Sequence, residues 1–393
     1  MRTSRIIGLI AVGAISLPLL ASCSTKPTVT GPKTKAPIGK QLAELVGSDT
    51  AASDLFGFSV ATSGTTTVVG AIGHAKYAGR AYVFDKTASG WKQVAELKGS
   101  DTAASDEFGS SVAISGTTVV VGAGNHANYA GEAYVFDKTA SGWKQVAELK
   151  GSDTAAADYF GWSVAVSGTT AVVGAYGLSN KAGRAYVFTK TASGWKQAAE
   201  LDGSDTVAGD QFGSAVSLSG TTAVVAATSA ANSAGRVYVF TKTATGWNQT
   251  AELKGSDTAA GDHFGWSVAI SGATAVVGAF HHANIAGRVY VFTKTATGWN
   301  QTAELKGSDT VAGAGFGISA AFSGATTVVG ATGEQGTGRA YIFTKTATSW
   351  KQAAELKGSD SIAGNEFGFS MDVSGTTAVV GADNAGRAYV FQA

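Results

Sequence analysis

Seven Phe-Gly pairs punctuate the chain, starting at Phe56, Phe108, Phe160, Phe212, Phe264, Phe316 and Phe367, with a spacing of 52 residues five times and then 51. A chain that repeats at a period near 50 is one array, because a single unit cannot bury its own apolar face and needs its neighbours to cover it. Each period divides into four strand-like runs. In the fifth copy FGWSVAI comes first, followed by a tight Ser271-Gly272 turn. TAVVGA is second and continuously apolar, as a strand covered on both faces should be. A seven-residue loop leads to GRVYVF, and a KTATG turn leads to WNQTAEL. This fourth run alternates. In the second copy Trp143, Gln145, Ala147 and Leu149 fall on one side, and Lys144, Val146 and Glu148 on the other. Period two with one charged face suits an outer strand, and its charges discourage edge-to-edge association. No proline interrupts the repeats.

The array ends out of phase. Its last copy stops after GRAYVF and lacks a fourth run, while KQLAEL, Lys40 to Leu45, stands before the first Phe-Gly. Pairing the two ends completes the seventh unit and closes a ring, which removes two exposed sheet edges. The expected fold is therefore all-β: a seven-bladed β-propeller of four-stranded antiparallel blades, closed by the N-terminal strand completing the last blade.

The Phe-Gly words, with VVGA about 14 residues on, resemble the FG-GAP repeat family, the blades of the integrin α-subunit head and of many bacterial surface proteins. The resemblance covers roughly residues 40–393 and recurs in all seven copies. It implies a binding or adhesion propeller. Many blades of that family carry a calcium loop of the Asp-x-Asp-x-Asp-Gly kind between their first two strands. Here that place holds only SGTT or SGAT, too few oxygens for a cage of six to eight. Calcium is therefore not carried over, and no cofactor or metal is expected.

The amino terminus reads as an address. Arg2 and Arg5 precede an apolar run from Ile6 to Leu20, which is short for a transmembrane helix and contains Pro18. It ends in Leu20-Ala21-Ser22-Cys23, which resembles a bacterial lipobox. Residues 1–22 are then a lipoprotein signal, with Cys23, the only cysteine, as the lipidated residue. Residues 23–39 hold three of the four prolines and read as a tether, and residues 40–393 as the propeller. Acyl chains on Cys23 would anchor the protein to a bacterial cell membrane, the outer one in a two-membrane organism. Formal charge is +1, and six of the 29 bases precede residue 41, so the repeats carry 23 bases against 28 acids, about −5. That balance gives no reason to expect a nucleic-acid partner. A monomer is expected, with a surface protein or carbohydrate as partner.

In a propeller the fourth-to-first and second-to-third loops open on one face. The first class, KGSDTAAGDHFG in the fifth copy, carries an Asp in every blade: Asp49, Asp101, Asp153, Asp205, Asp257, Asp309 and Asp360. A need common to all seven blades points to a turn rather than to a ligand, since Ser-Asp-Thr segments bond their own backbone. A second Asp two residues before most Phe-Gly pairs becomes Ala314 and Asn365 in the last two copies. Arg80, Arg184, Arg236, Arg288, Arg339 and Arg387 begin the third strand and are expected to pair with the first set of aspartates. Glu132 in the second blade should disturb one pair.

The second-to-third loops are where the copies disagree: IGHAKYA, GNHANYA, YGLSNKA, TSAANSA, FHHANIA, TGEQGTG and DNA. Loops on a rigid scaffold are free to carry recognition. The candidate ligand-binding residues are His74, Tyr77, His126, Asn128, Tyr129, Tyr176, Asn180, His282 and Asn284, with His263 reaching the same face from the other loop class. Amides, imidazoles and exposed rings suit sugar or peptide recognition. Lys86 and its equivalents in the KTASG-type turns of the opposite face read as solvated turns, and Trp91 and its equivalents as wedges between blades. No nucleophile elbow and no site broken in symmetry at several positions is apparent, so catalysis is not expected. Non-catalytic binding at the cell surface, a lectin, and a structural envelope component remain the functional readings.

Overall fold

The computed structural model describes residues 36–393. The expected signal at residues 1–22 and the expected lipidation site, Cys23, lie outside the described residues. Seven separate four-stranded antiparallel sheets follow one another along the chain. In the first blade the strands are Phe56–Ser63, Thr66–Ala71, Arg80–Thr87 and Gly90–Leu97, ordered from the axis outwards. The seventh blade consists of Met371–Ser374, Thr377–Ala382, Arg387–Gln392 and, as its outer strand, Gln41–Leu45. The N-terminal strand pairs Leu45 with Ala388 and Gln41 with Phe391, so the ring closes as the out-of-phase repeats require. It also takes over the side-chain work of an outer strand. In six blades a fourth-strand glutamine accepts from the backbone N–H of the loop serine entering that blade, as Gln93 does from Ser48 at 2.9 Å; Gln41 does the same for Ser359 at 3.0 Å.

The core lies in the seams. Each apolar cluster is built from two adjacent blades: Leu45, Val379, Ala388 and Val390 of the seventh meet Phe56, Val60, Val69, Tyr82 and Phe84 of the first. The phenylalanine of each Phe-Gly pair is fully buried there, and Phe56 packs at 5.6 Å on Tyr82 and 6.0 Å on Phe84. Second strands are buried along their whole length in most blades, whereas the outer strand Gly142–Leu149 alternates exposed and half-buried residues before ending at buried Leu149. The indoles of Trp91, Trp143, Trp195, Trp247, Trp299 and Trp350 pack against these inter-blade clusters, as wedges should. A register shift between the third and fourth strands recurs, as at Val135/Phe136, and its bulge adds a twist to the outermost edge.

The first strands line an axial channel of about 310 Å³, walled by Val60, Val112, Val164, Val216 and Val268, with Asp372 as its charged residue. Among the described residues no helix is long and apolar enough to cross a membrane.

Candidate functional site: the loop face and the mouth of the axial channel

The two loop classes on this face are stitched together blade to blade. Five of the second-to-third loops contain three consecutive residues in the left-handed region, for example Ala127, Asn128 and Tyr129 with φ of 52°, 60° and 64°. Such conformations cost an L-residue roughly 1–2 kcal/mol each, and Asn tolerates them best, which accounts for the column Asn128, Asn180, Asn232 and Asn284. The turns persist because their carbonyls are used: Asn128 and Tyr129 accept backbone N–H bonds from Ala157 and Tyr159 of the next blade at 3.2 and 2.8 Å.

The first set of aspartates accepts a different donor from the one expected. In every blade a buried third-strand tyrosine hydroxyl donates to the Asp, from Tyr82 to Asp49 through Tyr389 to Asp360, at 2.6–2.9 Å. Burial first, and then the neighbouring carboxylate, push the phenols of Tyr82, Tyr134, Tyr186, Tyr238, Tyr290 and Tyr389 well above their ordinary range. The arginines bond instead mostly to the fourth-strand glutamate beside them, as Arg80 Nε does to Glu96 at 2.7 Å and Arg288 Nε to Glu304 at 2.7 Å. Only Arg184 and Arg387 reach their aspartates, Asp153 at 2.7 Å and Asp360 at 3.2 Å. The backbone-capping role belongs to the second Asp set: Asp54, Asp106, Asp158, Asp210 and Asp262 each accept the N–H of the residue three before.

His74, His126 and His282 stand inside this network. Their Nδ1 atoms lie 3.0, 2.8 and 2.8 Å from Asp54, Asp106 and Asp262, and their rings sit edge-on to the buried tyrosines at 6.4 Å. They belong to three separate blades and do not converge. Glu132 is fully buried, and its Oε2 lies 3.2 Å from His126 Nε2 and 3.3 Å from Lys150 Nζ. Burial raises the Glu132 carboxyl, and Lys150 opposes that shift.

Around the channel mouth the chain assembles something else. Residues from three columns of the repeat meet there: the residue after Phe-Gly in six blades, the residue before it in two (Glu107, Gln211), and the first residue after the second strand in two (Tyr176, Thr228). The position after Phe-Gly reads Phe58, Ser110, Trp162, Ser214, Trp266, Ile318 and Phe369. Phe58, Trp162, Trp266 and Phe369, with Tyr176, line a mouth cavity of about 420 Å³ whose polar lining is Glu107, Ser110, Gln211, Ser214 and Thr228. Trp162 is 42% and Trp266 45% exposed, which is high for indoles. Each heads an aromatic cluster. Trp162 lies 5.0 Å from Tyr176, which stacks on Tyr159 at 4.9 Å, and Tyr129 extends the group at 5.3 Å. Trp266 lies 4.5 Å from Phe280 and 6.0 Å from His263. Burial, and then His281 beside it, lower the His263 imidazole, while burial and Tyr159 push the Tyr176 phenol up to about 12.

Of the residues expected to bind ligand, Tyr176 thus lines the mouth, and His263 and Tyr129 support its aromatic clusters. Tyr77, Asn128, Asn180 and Asn284 lie exposed on the rim. The indoles Trp162 and Trp266 were missed. Their signal was available: the most invariant word in the chain is flanked on both sides by positions that change from blade to blade.

A closed seven-bladed propeller with invariant seams and one variable, aromatic-lined face is an architecture often used for binding. The repeat described as FG-GAP repeat matches seven segments, residues 40–84, 91–136, 143–188, 195–240, 247–292, 299–343 and 350–391, and the chain belongs to that family. No curated protein matches by sequence. Among solved structures, a chain of a mitotic checkpoint complex superposes with a TM-score of 0.60 at 12% identity, over 96% of this chain and 99% of that one. Sqt1 of Saccharomyces cerevisiae gives 0.49 at 12% identity, over 91% and 100%. At that identity the first likeness speaks to fold alone.

Proposed function

We propose that this protein is a non-catalytic binding module, carried on a lipid at Cys23 to a bacterial cell surface, and that it takes a carbohydrate at the mouth of its axial channel. The observation that carries the reading is the exposure of Trp162 and Trp266 beside Tyr176, Phe58 and Phe369 around a cavity of about 420 Å³. Sugar rings present apolar C–H faces that cover indole and phenol rings, and their hydroxyls need a few placed acceptors and donors. Glu107, Gln211, Ser110, Ser214 and Thr228 supply those on the same wall. The volume lies within the range of small-molecule sites. Water on exposed indoles is readily displaced by an apolar face, so stacking there is favourable without any change in the scaffold.

The test is a glycan-array screen of the purified protein beside Trp162→Ala and Trp266→Ala. The expected result is saccharide binding that each variant weakens at least tenfold, about 1.4 kcal/mol, while thermal unfolding stays unchanged. Binding that survives both substitutions places the site elsewhere. A blank array together with a cross-linked protein partner on intact cells replaces the sugar by a protein ligand.

A further inference from the structure

The second blade breaks the symmetry of the loop face in a way the first and fifth do not, and the geometry points to a binding site for a divalent first-row transition cation, formed by Asp101, His126 and Glu132. In all three blades an imidazole stands between two aspartates and a tyrosine. The second Asp fixes the ring: Asp106 accepts the Ala103 N–H at 2.7 Å and lies 2.8 Å from His126 Nδ1. An ionised carboxylate only accepts, so Nδ1 carries a proton, and in the neutral imidazole Nε2 presents its lone pair. The first Asp is fixed as well, since Tyr134 donates to Asp101 Oδ1 at 2.8 Å and leaves Oδ2 turned towards Nε2, 3.7 Å away.

What differs is the residue opening the third strand. It is Arg80 in the first blade and Arg288 in the fifth, and each guanidinium spans to the outer-strand glutamate. In the second blade it is Glu132, with no exposed surface; its Oε1 has no hydrogen-bond partner, and its Oε2 meets only the Lys150 ammonium, at 3.3 Å, and His126. Its Oε2 lies 3.2 Å from Nε2. One ligand atom from each of the three residues falls within 4.8 Å of the others. Three potential ligand atoms therefore converge on one point, with the Lys150 ammonium at its edge. Ligands at about 2.0–2.2 Å from one tetrahedral ion sit roughly 3.3 Å apart, close to the 3.2 and 3.7 Å separations here. The Asp106–His126 contact is the outer-shell carboxylate that orients and strengthens a metal-bound imidazole. A nitrogen and two carboxylate oxygens suit zinc and its neighbours, with water completing the shell, whereas a histidine ligand disfavours calcium. Lys150, 60% exposed on a flexible stem, holds its ammonium 3.3 Å from Glu132 Oε2 and swings to solvent when the ion enters. The inference does not rest on the carbohydrate reading, because the mouth cavity is lined by other residues.

The test is a cobalt titration of the purified, chelator-stripped protein, read by visible d–d absorption and repeated with zinc by calorimetry. The expected result is saturable binding of a single equivalent, cobalt displaced by zinc and not by calcium. Glu132→Arg installs the residue that six other blades carry, so it folds; it loses the site. His126→Gln loses it too. Three equivalents would mean that the first and fifth blades bind equally and that Glu132 is irrelevant. Saturable binding undiminished in Glu132→Arg, or no binding in the parent, would leave the gap to a proton on His126 and overturn the site.

Discussion

Gly213 explains why the repeats spell Phe-Gly. Its φ is +87°, and a Cβ would stand 2.4 Å from the Arg184 carbonyl oxygen of the preceding blade. The glycine lets two backbones touch while Phe212 beside it fills the seam. A matching partner sits opposite: Ser163 Oγ donates to the Gly213 carbonyl at 2.8 Å, and a Cβ on Gly174 would meet that same oxygen at 2.0 Å. In the fourth blade both partners change together, to Ala215 and Ala226, and the equivalent bond to the next Phe-Gly is absent among the described residues. Gly220 isolates the two contributions, because it has φ +57° and a Cβ there would meet nothing within 4 Å. Gly220→Ala is expected to cost about 1–2 kcal/mol, the left-handed penalty alone. Gly213→Ala adds a backbone collision and is expected to cost at least ~2 kcal/mol more. Urea denaturation of both variants reads the difference, and equal costs would refute the close-approach explanation.

The strands were legible because burial fixes their period: a second strand covered on both faces must be apolar throughout, and an outer strand must alternate. The loops were not, because their shape depends on backbone conformations that composition does not announce. Ala127 and Ile285 give no sign that they will adopt a φ of 52° and 64°. Nor does spacing say that the tyrosine two residues beyond Arg80, rather than Arg80 itself, will reach Asp49; Arg80 is captured first by Glu96 on the adjoining strand. The mouth was missed for a related reason, since its three columns are separate in sequence and meet only when first strands line an axis. One inner strand carries a further anomaly. Asp372 replaces the small residue found at Ala61, Ala113 or Ala165, and accepts the Thr62 N–H of the first blade at 2.6 Å. Enclosure by the channel wall pushes its carboxyl up to about 6 from an ordinary 3.8, against the pull of two backbone N–H donors, Thr62 and Val373. The folded state thus holds a proton that the unfolded chain releases near pH 4. The group's contribution to stability is complete below that pH and is lost as pH rises through about 6. Asp372→Asn keeps an acceptor for Thr62 and removes the loss. Denaturation midpoints should show the variant more stable than the parent at pH 8, by on the order of 2 kcal/mol, and level with it at pH 4. A pH-independent difference would contradict the assignment.

At the scale of the molecule, stability is a property of the ring. Each blade buries its apolar faces only against its neighbours, so an unclosed ring exposes both faces of one seam. The lock is a five-residue strand, Gln41–Leu45, on which three kinds of contact converge. Its backbone pairs with Arg387–Gln392, Leu45 is 2% exposed within the seam between the seventh and first blades, and Glu44 forms an ion pair with Arg387. Burying one leucine is worth about 1.5–3 kcal/mol. Removal of Lys40–Leu45 also frees a row of backbone donors and acceptors along the third strand of the last blade, a template for pairing with another chain. The deletion is therefore expected to lower stability by more than ~3 kcal/mol, visible as a fall in Tm, and to shift the protein towards dimers and larger species in size-exclusion chromatography. Shortening the chain could itself alter both readouts, and a permuted chain separates that effect from loss of closure. Moving the segment to the carboxyl terminus behind a KTASG-type turn, as in the other blades, supplies the same strand from the opposite direction of connection. That permutant should recover the parental Tm and the monomer. A deletion that melts with the parent, or a permutant that fails to recover, would mean that the seventh blade does not depend on its borrowed strand.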